Sequence, residues 1–126
     1  MRRIIRINPI NSLLFLSSER GSEPPLPTRK ALLKGQQVFA TSSCLGVTCY
    51  PEQDGPTEVV IDDGTIDSPV GQLAFDGFLD VPDRILVLST AENEVLLSFP
   101  LQTPRVRVRI WTSHPRWPEK LTIGLG

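Results

Sequence analysis

The chain has 126 residues, 40% of them hydrophobic and 21% charged, with a formal net charge of -1. That length and apolar fraction let one domain bury a continuous core without metal or disulfide staples. The even charge balance excludes a global electrostatic argument for nucleic acid or acidic substrates, and no stretch approaches the roughly 20 apolar residues of a membrane-spanning helix, so no membrane partner is expected.

Met1-Arg2-Arg3 ahead of Ile4 to Ser18 has the basic start and apolar body of a secretion signal. Arg6, Asn8, Pro9 and Asn11 interrupt that body and the cleavage pattern is poor, so the expected location is cytoplasmic. Two strands, Arg3 to Ile7 and Leu13 to Leu16, are expected here. Glu19 to Thr28, with Pro24, Pro25 and Pro27, reads as an extended connector inside a single domain spanning 1–126. Arg29 to Gly35 holds the one modest helical option, good helix formers closed by a glycine but too short to stand unpacked.

Further strand-like segments follow at Gln37 to Thr41, Leu45 to Tyr50, Glu58 to Asp62, Gln72 to Phe75, Arg84 to Ser89, Glu94 to Phe99, Arg105 to Trp111 and Lys120 to Leu125. Turn formers separate them: Asp63-Gly64, Asp76-Gly77, Pro82-Asp83, Thr103-Pro104 and Pro115 to Pro118. Twelve prolines and nine glycines leave little room for helix. Short strands at this regular spacing predict an all-β fold, an antiparallel β-sandwich or flattened barrel of roughly eight to ten short strands.

The clearest segment is Arg105-Val-Arg-Val-Arg-Ile-Trp111, where Val106, Val108 and Ile110 alternate with Arg105, Arg107 and Arg109. Period two is the mark of a strand with one buried face; helical geometry would scatter the arginines around the axis. Three guanidinium groups on one strand face repel unless acids sit opposite. Glu92 and Glu94 are the expected partners, if a hairpin turns through Leu101 to Pro104. The other reading is a basic stripe flanked by Trp111 and Trp117 that binds a phosphate backbone or an acidic protein, although the low net charge disfavours nucleic acid.

Charge is uneven along the chain. Met1 to Tyr50 carries seven Lys or Arg against two Glu, Pro51 to Glu94 eleven acids against Arg84 alone, and Val95 to Gly126 five bases against Glu119. Either strands from different segments pair and neutralise one another, or an acidic rim stands exposed and steers a basic partner.

Few residues offer chemistry. Cys44 and Cys49 fit no zinc or redox spacing, and the expectation is two partly buried thiols in a reducing compartment. His114, the one histidine, lies in a proline-rich connection with no Ser or Cys placed beside it, so no nucleophilic triad is expected. Asp62, Asp63 and Asp67 lack the spacing of a calcium loop, and no phosphate-binding glycine fingerprint occurs. Neither cofactor nor metal is expected, and the chain is read as no enzyme.

From Ala31 onward, Gln37-Val-Phe-Ala-Thr, Gly46-Val-Thr-Cys, Phe75-Asp-Gly-Phe-Leu-Asp-Val-Pro82, Arg84-Ile-Leu-Val-Leu and Leu97-Ser-Phe-Pro100 leading into Arg105-Val-Arg-Val resemble the small bacterial β-sandwich proteins of the competence protein J type. That resemblance implies a compact protein that works by binding another protein, as an inhibitor or immunity protein against a basic nuclease or toxin. The acids expected to meet such a partner are those read as lying in turns: Asp62, Asp63, Asp67, Asp76, Asp80 and Asp83. The alternative is a sandwich that binds a small ligand or glycan through the Trp111 to Trp117 loop, using Trp111, His114 and Trp117 with Arg105, Arg107 and Arg109.

Overall fold

The architecture comes from a computed structural model that describes residues 2–9, 12–18, 37–51, 53–64, 66, 71–92 and 94–126. The expected connector and helical segment between 19 and 35, and Asp67, lie outside the described residues. Ten strands follow in chain order: β1 (Arg2–Ile7), β2 (Leu13–Ser18), β3 (Val38–Ala40), β4 (Cys44–Thr48), β5 (Thr57–Asp62), β6 (Gln72–Asp80), β7 (Ile85–Thr90), β8 (Val95–Pro100), β9 (Arg105–Thr112) and β10 (Lys120–Leu125). Each expected strand is present, and no α-helix occurs among the described residues.

They form two five-stranded sheets, in the orders β1-β5-β10-β9-β6 and β3-β4-β2-β7-β8. All pairs are antiparallel except β5 with β10, which run parallel. Leu14, Leu16, Leu45, Val47, Leu86 and Phe99 of one sheet meet Val59, Ile61, Val108, Ile110, Leu121 and Ile123 of the other in one buried cluster. The sandwich thus rests on alternation: in β9, Val106, Val108 and Ile110 are buried while Arg105 and Arg107 are exposed.

The two sheets differ on their outer sides. On the first sheet the outward residues form rungs across the strands: Arg2, Asp62, Gly124, Arg109 and Asp76 in one row, and Ile4, Val60, Thr122, Trp111 and Leu73 in the next. On the second sheet the outward Phe15, Phe39, Cys44 and Val87 are all buried. Both of its faces are therefore largely apolar, which is why Leu13 to Leu16 reads as a continuous hydrophobic run without alternation.

Two expectations are corrected here. Asp76-Gly77 is no turn: β6 runs straight through it to Asp80. Gly77 instead leaves room for the Phe75 ring, which lies back along its own strand, 2.8 Å from where a Cβ on residue 77 would sit. Second, β8 and β9 are no hairpin. They belong to different sheets, and Leu101 to Pro104 carries the chain across the sandwich, so Glu92 and Glu94 do not face the arginine row. Its neighbour is β6, in the register Asp80↔Arg105, Phe78↔Arg107 and Asp76↔Arg109.

Candidate functional site

Strand direction divides the sequence-derived candidates between opposite ends of the first sheet. β5, β6 and β10 run one way, and β1 and β9 the other. Arg2, Asp62, Asp80 and Arg105 therefore gather at one end, and Arg6, Glu58, Lys120 and Thr112 at the other. A six-residue strand separates them by about 20 Å.

At the first end the acids are engaged by bases. Arg107 donates from Nε to Asp76 Oδ1 at 2.9 Å and from Nη2 to Asp76 Oδ2 at 2.7 Å, a bidentate pair. This bond, with the positive charges of Arg107 and Arg109, holds the Asp76 carboxyl below its ordinary value, and the same bond with the Asp76 charge pushes Arg107 up. Arg105 lies 3.8 Å from Asp80 and stacks over the Phe78 ring at 4.6 Å. Arg2 reaches Asp62 at 3.7 Å, and the other Asp62 oxygen accepts the Gly64 N–H at 2.9 Å. Asp83 accepts the Ile85 N–H at 3.2 Å in the turn after β6, while Asp63 is exposed just beyond β5. Asp76 and Asp80 are thus strand residues, not turn residues. Basic and acidic segments pair here, as one of the two readings of the charge distribution expects.

Arg109 and Trp111 occupy the middle of the same outer face. The Arg109 guanidinium lies 5.3 Å from the Trp111 ring centroid, and its buried Nε has no hydrogen-bond partner. A Cβ at Gly124 would stand 3.3 Å from both the Trp111 ring and Ile66. Glycine at 124 thus leaves the indole room to pack over β10.

At the opposite end the β9–β10 connection folds over a hollow of about 400 Å³, lined by Tyr50, Ser113, His114, Trp117 and Glu119. Hydrogen bonds hold it open. His114 Nδ1 accepts the N–H groups of Arg116 at 3.1 Å and Trp117 at 2.9 Å. Gln37 donates from Nε2 to the His114 carbonyl at 2.7 Å and accepts from Thr112 Oγ1 at 2.9 Å, tying the connection to the second sheet. A second hollow of about 320 Å³ shares Tyr50 and Glu119 and adds Arg6, Asp54, Glu58 and Lys120.

No protein-family model matches the sequence, and a search of the curated proteins found no relative. Solved structures do match. The chain is similar in fold to ComJ. That crystal structure, from Bacillus subtilis, is of an inhibitor of the DNA degrading activity of NucA; it aligns over 99% of this chain and 93% of its own at TM-score 0.67 and 9% identity. A protein described as crocagin biosynthetic gene J aligns over 98% and 94% at TM-score 0.51, also at 9% identity.

Likeness to ComJ at that identity establishes the sandwich and its connectivity, not the surface. Of the residues expected to bind a small ligand, His114 and Trp117 line one hollow, whereas Trp111, Arg105, Arg107 and Arg109 lie along the sheet. Tyr50, Ser113 and Glu119 escaped the sequence reading. Tyr50 and Glu119 stand 69 positions apart in number and meet only because β5 pairs with β10, so no local pattern signals them.

Among the described residues no group of three or more His, Cys, Asp or Glu is placed to hold a metal ion. Cys44 and Cys49 are buried and form no disulfide, and burial pushes the Cys49 thiol far up from its ordinary value. They cannot approach each other, because Cys44 faces out of the second sheet and Cys49 faces the core.

Proposed function

We propose that the chain is a non-enzymatic protein-binding module of the bacterial cytoplasm that neutralises a nuclease or toxin. The observation that supports it is the fold, common from end to end with a nuclease inhibitor. Six acids, Asp62, Asp63, Asp67, Asp76, Asp80 and Asp83, supply a surface that steers a basic partner. Complementary charge speeds encounter and fixes orientation more than it adds affinity. Because Asp62, Asp76 and Asp80 already answer to Arg2, Arg107 and Arg105, that surface presents alternating charge, and its field is weaker than the acid count alone implies.

The test is DNA degradation by a panel of purified bacterial nucleases with and without the chain, beside a low-salt capture of basic proteins. Inhibition at stoichiometric ratio is expected, with association slowed when the six acids become Asn. Full nuclease activity throughout, and no captured nuclease or toxin, would remove the proposal. A second reading, a small-ligand site, is favoured by the hollow beside Trp117. It predicts saturable changes in tryptophan emission with a sugar or nucleotide, and a flat response across such a panel rejects it.

A further inference from the structure

The hollow at the β9–β10 end has the chemistry of a cation receptor. Tyr50 and Trp117 present two aromatic side chains to it, and Trp117 remains 48% exposed beside it. Aromatic faces carry negative electrostatic potential and attract ammonium and guanidinium groups, more strongly where water is partly excluded. Glu119 adds a carboxylate to the same lining. No ion pair or side-chain hydrogen bond occupies that carboxylate among the described residues.

The surrounding charges favour a cation further. Arg6 and Lys120, the two bases of the adjoining hollow, flank Glu58 in strand register, so their repulsion is answered locally. Asp54 and Glu119 then leave the lining of the two hollows with a negative surplus, and Arg116 lines neither of them.

The walls are also held in place before any ligand arrives. The Tyr50 N–H donates to Thr57 Oγ1 at 3.2 Å, and its ring lies against Gly55. The Glu119 carbonyl accepts the Glu58 N–H at 2.8 Å, and the Lys120 N–H donates to Ser113 Oγ at 3.0 Å. His114 anchors the backbone of Trp117. A receptor whose parts are fixed in this way loses little conformational freedom on binding.

We propose that this hollow receives a cationic side chain, an arginine or lysine, from the protein that the chain binds. Only the source of the cation rests on the protein-binding reading; the receptor chemistry stands on the hollow itself. The probe is N-acetyl-arginine-amide, titrated into the full chain and followed by the two indole N–H resonances, assigned with Trp111→Phe and Trp117→Phe. The Trp117 resonance should move and saturate with a Kd on the order of millimolar, while that of Trp111 stays still. The neutral isostere N-acetyl-citrulline-amide should bind at least about tenfold more weakly, and Glu119→Gln should weaken the arginine probe by a similar factor.

Glu119→Gln keeps the carbonyl that accepts the Glu58 N–H, and an unchanged far-ultraviolet spectrum confirms its fold. Equal binding of the citrulline probe, indifference to Glu119→Gln, or shifts confined to the Asp76 and Asp80 surface would overturn the receptor. If the probe binds but Glu119→Gln inhibits a nuclease as well as the unaltered chain does, the cation does not come from that partner. Failure of nuclease inhibition with an intact probe titration instead removes the protein-binding reading and leaves the receptor standing.

Discussion

Arg107 grips Asp76 diagonally across the β6–β9 pair, with two parallel hydrogen bonds of 2.9 and 2.7 Å, although strand register sets Phe78 opposite Arg107 and Arg109 opposite Asp76. The hydrogen bond and the guanidinium charge favour the ionised carboxylate, so its folded value lies below its unfolded one. A depressed carboxylate contributes stability that is complete above the unfolded value and is lost as pH falls through the folded one. Denaturant midpoints measured against pH should therefore separate the native chain from Asp76→Asn near neutrality and converge in strong acid. A constant gap at every pH would show that the pair contributes nothing through ionisation. Because both groups are solvated, added salt should narrow the gap.

Alternation in β9 predicts opposite outcomes for neighbours in sequence. Ile110→Ala opens a cavity at a fully buried site and should cost about 2–4 kcal/mol. Arg105→Ala removes two solvated contacts, to Asp80 at 3.8 Å and to the Phe78 ring at 4.6 Å, and should change stability by no more than about 1 kcal/mol. Equilibrium urea unfolding of the two variants checks the contrast.

Gly71 adopts φ +92°, and a Cβ there would lie 1.8 Å from the Thr112 carbonyl oxygen. No side-chain rotation relieves a clash with backbone, so Gly71→Ala should destabilise by at least about 2 kcal/mol. Gly126→Ala, at φ +101° but with nothing within 4 Å of its Cβ, carries the backbone strain without the clash and should destabilise less than Gly71→Ala.

Removing the His114 ring takes away the acceptor for two backbone N–H groups. In His114→Ala, amide exchange at Arg116 and Trp117 should quicken by about tenfold while exchange in β9 and β10 stays as it was. Asn at the same position, whose side-chain oxygen can accept from residues two and three further on, should restore much of the protection.

Both thiols should resist modification. Cys44 and Cys49 are buried and not joined in a disulfide, and the raised value of Cys49 keeps it protonated at neutral pH. A thiol reagent should titrate neither in the native chain and two in denaturant, and a reductant should not move the unfolding midpoint. A readily labelled native cysteine would contradict this packing.

What could be read in advance was whatever depends on neighbours along the chain. Val106, Val108 and Ile110 declare a buried strand face because side chains alternate every residue, and turn formers bound the other strands for equally local reasons. All-β architecture and strand count follow from those periods. Asp76-Gly77 misled because a turn dipeptide carries no sign that one residue is claimed by Arg107 and the other by the Phe75 ring.

Pairing of distant strands was decided only by the tertiary structure. Apolar faces can be buried by several strand orders, and nothing in the arginine row says whether β8 or β6 lies beside it. The parallel β5–β10 pair brings Tyr50 to Glu119, and strand direction sends Asp62 and Asp80 to the end opposite His114. Local periodicity determines which way a side chain points; which surface it then shares depends on contacts between residues far apart in sequence, whose free energy exists only once both sheets have closed on the core.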